Sequence, residues 1–164
     1  MPKTLVLGLG NPLMGDDGAG LAALACLREE WELPDEVELV DGGTWGMSLL
    51  PVLESYDRAI LLDAIQTRAR PGALVLLRRE ELPRYFAHKL SPHQLDLREV
   101  LALAELRDSL PRTLMAIGVQ PERVELNAAL SPRVATAIGK MVALTLDQLQ
   151  WLGHQCVRRE PVCA

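Results

Sequence analysis

The sequence predicts a three-layer α/β/α domain. Short β-branched or aliphatic runs alternate with helical patterns along the whole chain, most joins between the runs are of helix length, and one join is too short for a crossover. With 164 residues, 49% of them apolar and 24% charged, the chain is sized for one core. We expect that domain to span 1–153, with a polar, flexible tail at 154–164.

Strands are expected at 3–8, 37–41, 58–63, 73–78 and 113–118, and helices at 18–31, 46–55, 93–107 and 131–152. The first helix presents Leu21, Leu24, Leu27 and Trp31 at helical spacing, which gives it one apolar face for a sheet. Helix-length connections make the first three strands parallel. Only nine residues, ending in the Pro71-Gly72 turn, separate Asp63 from Ala73, too few for a complete crossover, so the fourth strand should run antiparallel. The segment 80–91 is then long enough to carry the chain back across the molecule. Ser91 reads as an N-cap and Pro92 as the first helical residue, which puts His93 in the opening turn of the third helix. The last helix shows Val134, Ile138, Met141 and Leu149 on one face.

Composition removes several classes of function. A formal charge of -5 with scattered basic residues offers no footprint for a polyphosphate, so no nucleic acid is expected. No apolar run reaches the roughly 18–20 residues of a membrane span, and no signal-peptide layout opens the chain, which predicts no membrane and a cytoplasmic location. Cys26, Cys156 and Cys163 form no C-x-x-C pair and are expected to be reduced, Cys26 as a small hydrophobe within a helix. Nothing in the helix faces calls for a dimer, and a monomer is expected.

The stretch "GLGNPLMGDDGAG" at 8–20 lies between the first strand and the first helix, where a glycine-rich loop commonly cradles phosphate. It fails both tests. Leu13 stands where a dinucleotide fingerprint needs its third glycine, and no Gly-Lys-Ser or Gly-Lys-Thr closes a P-loop. Asp16 and Asp17 would repel an anion. Helix capping could explain one of them. The run Ala59-Ile-Leu-Leu, however, also ends in a carboxylate, Asp63, and the ends of the first and third strands flank the switch point where open α/β sheets bind ligands. Asp17 and Asp63 are therefore expected to face one crevice. Asp41, Gly42, Gly43 and Thr44 belong to the same rim, where paired glycines admit a peptide close to the backbone. Of three histidines, His88 and His154 read as solvated surface residues, whereas a helix N-terminus keeps His93 neutral and fit to ligate. Two carboxylates and one imidazole suit a borderline divalent metal such as zinc, nickel or iron.

At this point the residues resemble a known family. The segments "LVLGLGNPLMGDDGAG", "VELVDGGTWGMSLL", "AILLDAI", "PGALVLLRREELP", "KLSPHQLDLREVLALAEL" and "LMAIGVQPE" are similar, in order and spacing, to hydrogenase maturation endopeptidases, nickel-dependent processing proteases of nickel-iron hydrogenase large subunits. The resemblance implies a mixed five-stranded sheet of order 2-1-3-5-4 with strand 4 antiparallel. It also implies that Asp17, Asp63 and His93 contact nickel and carry the reaction, removal of a C-terminal peptide from the large-subunit precursor after metal insertion. The nickel belongs mainly to that precursor, whose thiolates supply the soft ligands this chain lacks; another divalent metal could stand in for it in the isolated protein. Many family members have glutamate at the position of Asp17; the shorter arm keeps the oxygen donor and draws it back by about one methylene.

In this reading the metal fixes the precursor tail for attack by water, and Asp16, Asp41, Gly42, Gly43 and Thr44 line the substrate's path, the glycine edge pairing with the tail and Trp45 packing on it. Either the nickel polarises the carbonyl or a carboxylate such as Asp16 or Asp41 takes the water's proton, the second being preferred. Two other classes start from the same residues: a non-catalytic module that recognises nickel-loaded precursor, and a peptidyl-tRNA hydrolase-like enzyme suggested by "GLGNP". The latter lacks the Thr-Arg-His-Asn stretch expected soon after that start.

Overall fold

In a computed structural model of the chain, residues 2–43, 45–85 and 92–161 are described, by backbone alone at 84, 85 and 92–96. The strands are β1 (Thr4–Leu9), β2 (Trp31–Glu32), β3 (Val37–Gly43), β4 (Arg58–Ala64), β5 (Leu74–Arg78), β6 (Thr113–Val119) and β7 (Val157–Arg158). The helices are α1 (Ala19–Glu30), α2 (Leu49–Glu54), α3 (Leu82–Tyr85), α4 (Pro92–Leu106) and α5 (Pro132–Trp151).

The main sheet has the order β3-β1-β4-β6-β5, which is 2-1-3-5-4 once the two-residue strands are set aside. β1 pairs in parallel with β3 and β4, and β4 pairs in parallel with β6. β5 is antiparallel, as its short connection demands, but its neighbour is β6, and it forms the far edge.

Alternation along the buried strands sorts their side chains into two cores. Leu5, Leu7, Leu61, Ile65 and Ala116 pack with Leu49 and Leu53 of α2 and Leu97, Val100 and Ala104 of α4. Val6, Ile60, Leu62, Met115 and Ile117 pack with Ala23, Leu24 and Leu27 of α1 and Val134, Met141 and Leu149 of α5. Strands buried on both faces read as continuous apolar runs, which is why β1, β4 and β6 were legible.

Three expectations need correcting. The first helix stops at Glu30, because Trp31 and Glu32 form β2. The second predicted helix divides into a 3-10 turn at Gly46–Ser48 and α2. Residues 154–159 do not leave the molecule: β7 pairs with β2, Arg159 N–H donates to the Glu30 carbonyl at 2.8 Å, and His154 is 2% exposed and shares a 2.8 Å hydrogen bond with the Thr4 hydroxyl. Their polar groups meet partners more than a hundred positions away, so local composition could not reveal this. His88, Ser91 and Cys163 lie outside the described residues. None of the described helices is long and apolar enough to cross a membrane.

Candidate active site

The site is assembled at the C-terminal ends of the parallel strands. β1 ends at Leu9, and Gly10 follows with φ +116°; a Cβ there would lie 1.9 Å from the Asp17 carbonyl oxygen, so only glycine fits. The chain folds back on itself through Asn11, whose side-chain Oδ1 accepts from the Leu13 amide and whose own amide donates to Asp17 Oδ2 at 2.9 Å. Asp17 is left 2% exposed. Both aspartates sit in a 3-10 turn, Gly15–Gly18, ahead of α1, and the N-cap of α1 is Gly18. Neither carboxylate caps the helix.

Asp63 is the penultimate residue of β4 and 1% exposed, and its Oδ1 accepts from the Ala64 amide at 2.8 Å. By alternation with Leu61 and Ile65 it belongs to the face covered by α2 and α4. The register Gly8↔Leu62 puts the exits of β1 and β4 side by side, and Gly20 of α1 lies so close to β4 that a Cβ would stand 2.1 Å from the Leu62 carbonyl oxygen. Asp17 and Asp63 are thereby held at neighbouring strand ends. Carboxylates so far from water need donors or a cation close by.

Position 93 lies in the first turn of α4, a helix that packs against the 3-10 turn following β3. The His93 side chain lies outside the described residues. Among those described, no three His, Cys, Asp or Glu side chains gather as a metal site.

Asp16 departs from its expected part. It is fully buried, and its carboxylate accepts four hydrogen bonds: to Oδ2 from the amides of Glu122 and Arg123 at 2.8 Å and the Ser131 hydroxyl at 2.9 Å, and to Oδ1 from the Ser131 amide at 2.7 Å. Burial by itself pushes the carboxyl upward, but the bonds from Arg123, Ser131 and Glu122 together outweigh it and hold Asp16 below the ordinary aspartate range. A saturated, water-free carboxylate is a poor proton acceptor and has no surface for substrate, which removes Asp16 as base and as a substrate contact.

The strand-edge residues are divided. Asp41 is exposed on edge strand β3, opposite Gly8, and shares the α1 side of the sheet with Leu39, the face away from Asp63. Gly42 sits at an irregularity of the β1–β3 ladder, where a Cβ would meet Leu7 at 2.8 Å; its carbonyl accepts from Trp45. The Gly43 carbonyl accepts from Gly10. The glycines therefore shape the rim as much as they open it. Thr44 lies outside the described residues. Trp45 and Met47, exposed beyond β3, and Leu13, exposed beyond β1, give the rim an apolar border.

Gln120 was not foreseen. Buried just after β6, its Oε1 accepts from the Thr67 amide at 2.8 Å and from the Thr67 hydroxyl at 3.1 Å, and its Nε2 donates to Gln66 Oε1 at 2.8 Å, pinning the chain that leaves Asp63. The only signal was one polar residue directly after an apolar strand.

Comparison with known proteins agrees with this fold. The family described as HycI, hydrogenase maturation protease, matches residues 23–148. The hydrogenase 2 maturation protease of Escherichia coli is 38% identical over 161 residues, covering 98% of each chain. The hydrogenase expression/formation protein HupD of Thiocapsa roseopersicina is 36% identical over 97% of this chain and 73% of its own. Among solved structures, the hydrogenase maturating endopeptidase HybD from E. coli superposes with a TM-score of 0.91 at 38% identity, over 96% of this chain and 98% of that one. The maturation protease HybD from Thermococcus kodakarensis gives 0.72 at 28% identity, over 89% and 98%.

Proposed function

The chain belongs to the hydrogenase maturation proteases, and from that premise we propose that it removes the C-terminal peptide of a nickel-iron hydrogenase large-subunit precursor once nickel has been inserted. The observation that carries the reading is the pair Asp17 and Asp63, two deeply buried carboxylates at the adjoining ends of β1 and β4. A peptidase that needed carboxylates only for solubility would not bury them at a switch point.

The nickel is part of the substrate. Asp17, Asp63 and His93 offer it two oxygens and a nitrogen, a set that suits a borderline cation already holding thiolates. Gripping the metal places the tail that follows it, so the scissile carbonyl is held for water at little further entropic cost. Water adds to the carbonyl carbon, the C–N bond breaks, and the mature subunit leaves with a new carboxylate while the tail leaves with a free amine. The apolar border of Leu13, Trp45 and Met47 supplies non-polar contact to the precursor around the cut. As a member of a peptidase family the chain is an enzyme, which sets aside the non-catalytic reading and the tRNA one.

The test is to incubate the protein with nickel-loaded and nickel-free precursor and to weigh the large subunit by mass spectrometry. Loss of the tail from the loaded form alone is expected; equal trimming of both would contradict metal-gated recognition. Asp63→Asn and His93→Ala should each slow cleavage by about 100-fold or more with the fold retained. Normal cutting by either variant removes that residue from the site.

A further inference from the structure

We propose that Asp16 is the positioning residue of this site, setting where the Asp17 carboxylate stands relative to Asp63. This rests on the reading that Asp17 grips the substrate's nickel, and it explains why the turn holds two adjacent aspartates. The hydrogen bonds within the turn itself are short-range, from Met14 N–H to Asn11 O at 3.0 Å and from Asp17 N–H to Met14 O at 3.3 Å. They give the turn its shape without tying it to the rest of the sheet.

One tie comes from Leu13, whose carbonyl accepts from the Asn127 amide at 2.7 Å beside the Met14–Ala128 bridge, and Asp16 makes the others. Its carboxylate collects the amides of Glu122 and Arg123 and both donors of Ser131, and its own amide donates to the Arg123 carbonyl at 2.9 Å. These partners stand at the exit of β6 and at the N-cap of α5. β6 is also the strand on which Asp63 is registered, opposite Gly118. The frame closes: Asp17 is referred through Asp16 to the end of β6, and β6 is hydrogen-bonded to the strand that carries Asp63. Five bonds across this joint hold the spacing of two metal-facing carboxylates that come from different elements, and displacement by a fraction of an ångström is what such a pair tolerates least.

Asp16→Asn keeps the shape but turns an NH2 toward an N–H or O–H donor in either amide orientation, so the joint must open. Ser131→Ala removes one bond only. A merely stabilising clamp and a positioning clamp then differ in one readout, the preference for nickel-loaded over nickel-free precursor, measured as the ratio of the two affinities by calorimetry on folded protein. We expect Asp16→Asn to bind nickel-free precursor as before and to lose about tenfold of that ratio, with a smaller loss for Ser131→Ala. His154→Gln, altered at the opposite end of the sheet, should keep the full ratio even when its Tm falls as far. If Asp16→Asn does not fold, Ser131→Ala decides alone. An unchanged ratio in folded Asp16→Asn and Ser131→Ala, with Tm lowered, overturns the proposal. An unchanged ratio in Asp17→Asn overturns instead the reading of the site on which it stands.

Discussion

Two neighbouring aspartates with the same chemistry end in different trades because of what surrounds each. Asp16 faces four donors and is spent on structure, while Asp17 is turned back to the exit of β1. The sequence could place both at the mouth of the first helix, but the donors to Asp16 lie 106 to 115 positions away, beyond the reach of any local pattern. His154 teaches the same lesson at the other end of the sheet. Burial lowers its basicity, and the Arg58 charge adds to this against a small opposing pull from Glu36, so the folded protein keeps the ring neutral. Its folded pKa lies below its unfolded value near 6.5. The stability it contributes is thus fully present above that pH and is lost as the pH falls toward the folded value, because the unfolded chain takes up the proton first. We expect the Tm gap between wild type and His154→Gln to be widest at pH 8 and to narrow by pH 5, as read by calorimetry; a gap independent of pH would show that this ring does not titrate between the two states.

At the scale of elements, the close approach of α1 to the sheet decides the site. Gly20 lies on the Leu62 carbonyl, a backbone atom that cannot swing aside, so Gly20→Ala must push α1 off β4. We expect a loss of about 3 kcal/mol or more, with cleavage falling together with it, since the turn carrying Asp17 moves with the helix. Gly139, in the middle of α5, has nothing within 4 Å of its Cβ position, and Gly139→Ala should raise stability by about 0.5–1 kcal/mol through helix propensity alone. Chemical denaturation of the pair checks both signs. Element types were legible because buried parallel strands and amphipathic helices write their periods into the chain. The short pieces, β2 and β7, were not legible: a two-residue strand has no period, and Trp31 fitted a helical face equally well.

For the whole molecule, the C-terminal stretch acts as a strap across the end of the sheet opposite the site. Arg58 Nη1 donates to the Leu152 carbonyl at 2.8 Å, the Thr4 hydroxyl meets His154, and residues 157–159 run along β2 and the end of α1. Truncation after Gly153 removes several of these bonds and leaves Thr4 buried without its partner, which costs about 3 kcal/mol. At this chain length roughly 2–4 °C of Tm accompanies each kcal/mol. The truncated protein should still cleave precursor below its lowered Tm, because the proposed site lies at the other end of the strands; loss of cleavage at 20 °C in a folded truncation would show that the strap acts on that site.

By itself the sequence determined the layers, the strand order implied by its family resemblance, and two carboxylates as candidates, Asp63 because it terminates an apolar run and Asp17 because it stands in a glycine-rich loop that fits no phosphate cradle. Only the tertiary structure decided which of two adjacent aspartates is bound up in the frame, that Asp41 stands on the other face from Asp63, and that residues 154–159 are part of the fold. Those outcomes depend on hydrogen bonds between segments brought together by the closing of the sheet, and a linear pattern carries no record of partners a hundred residues apart.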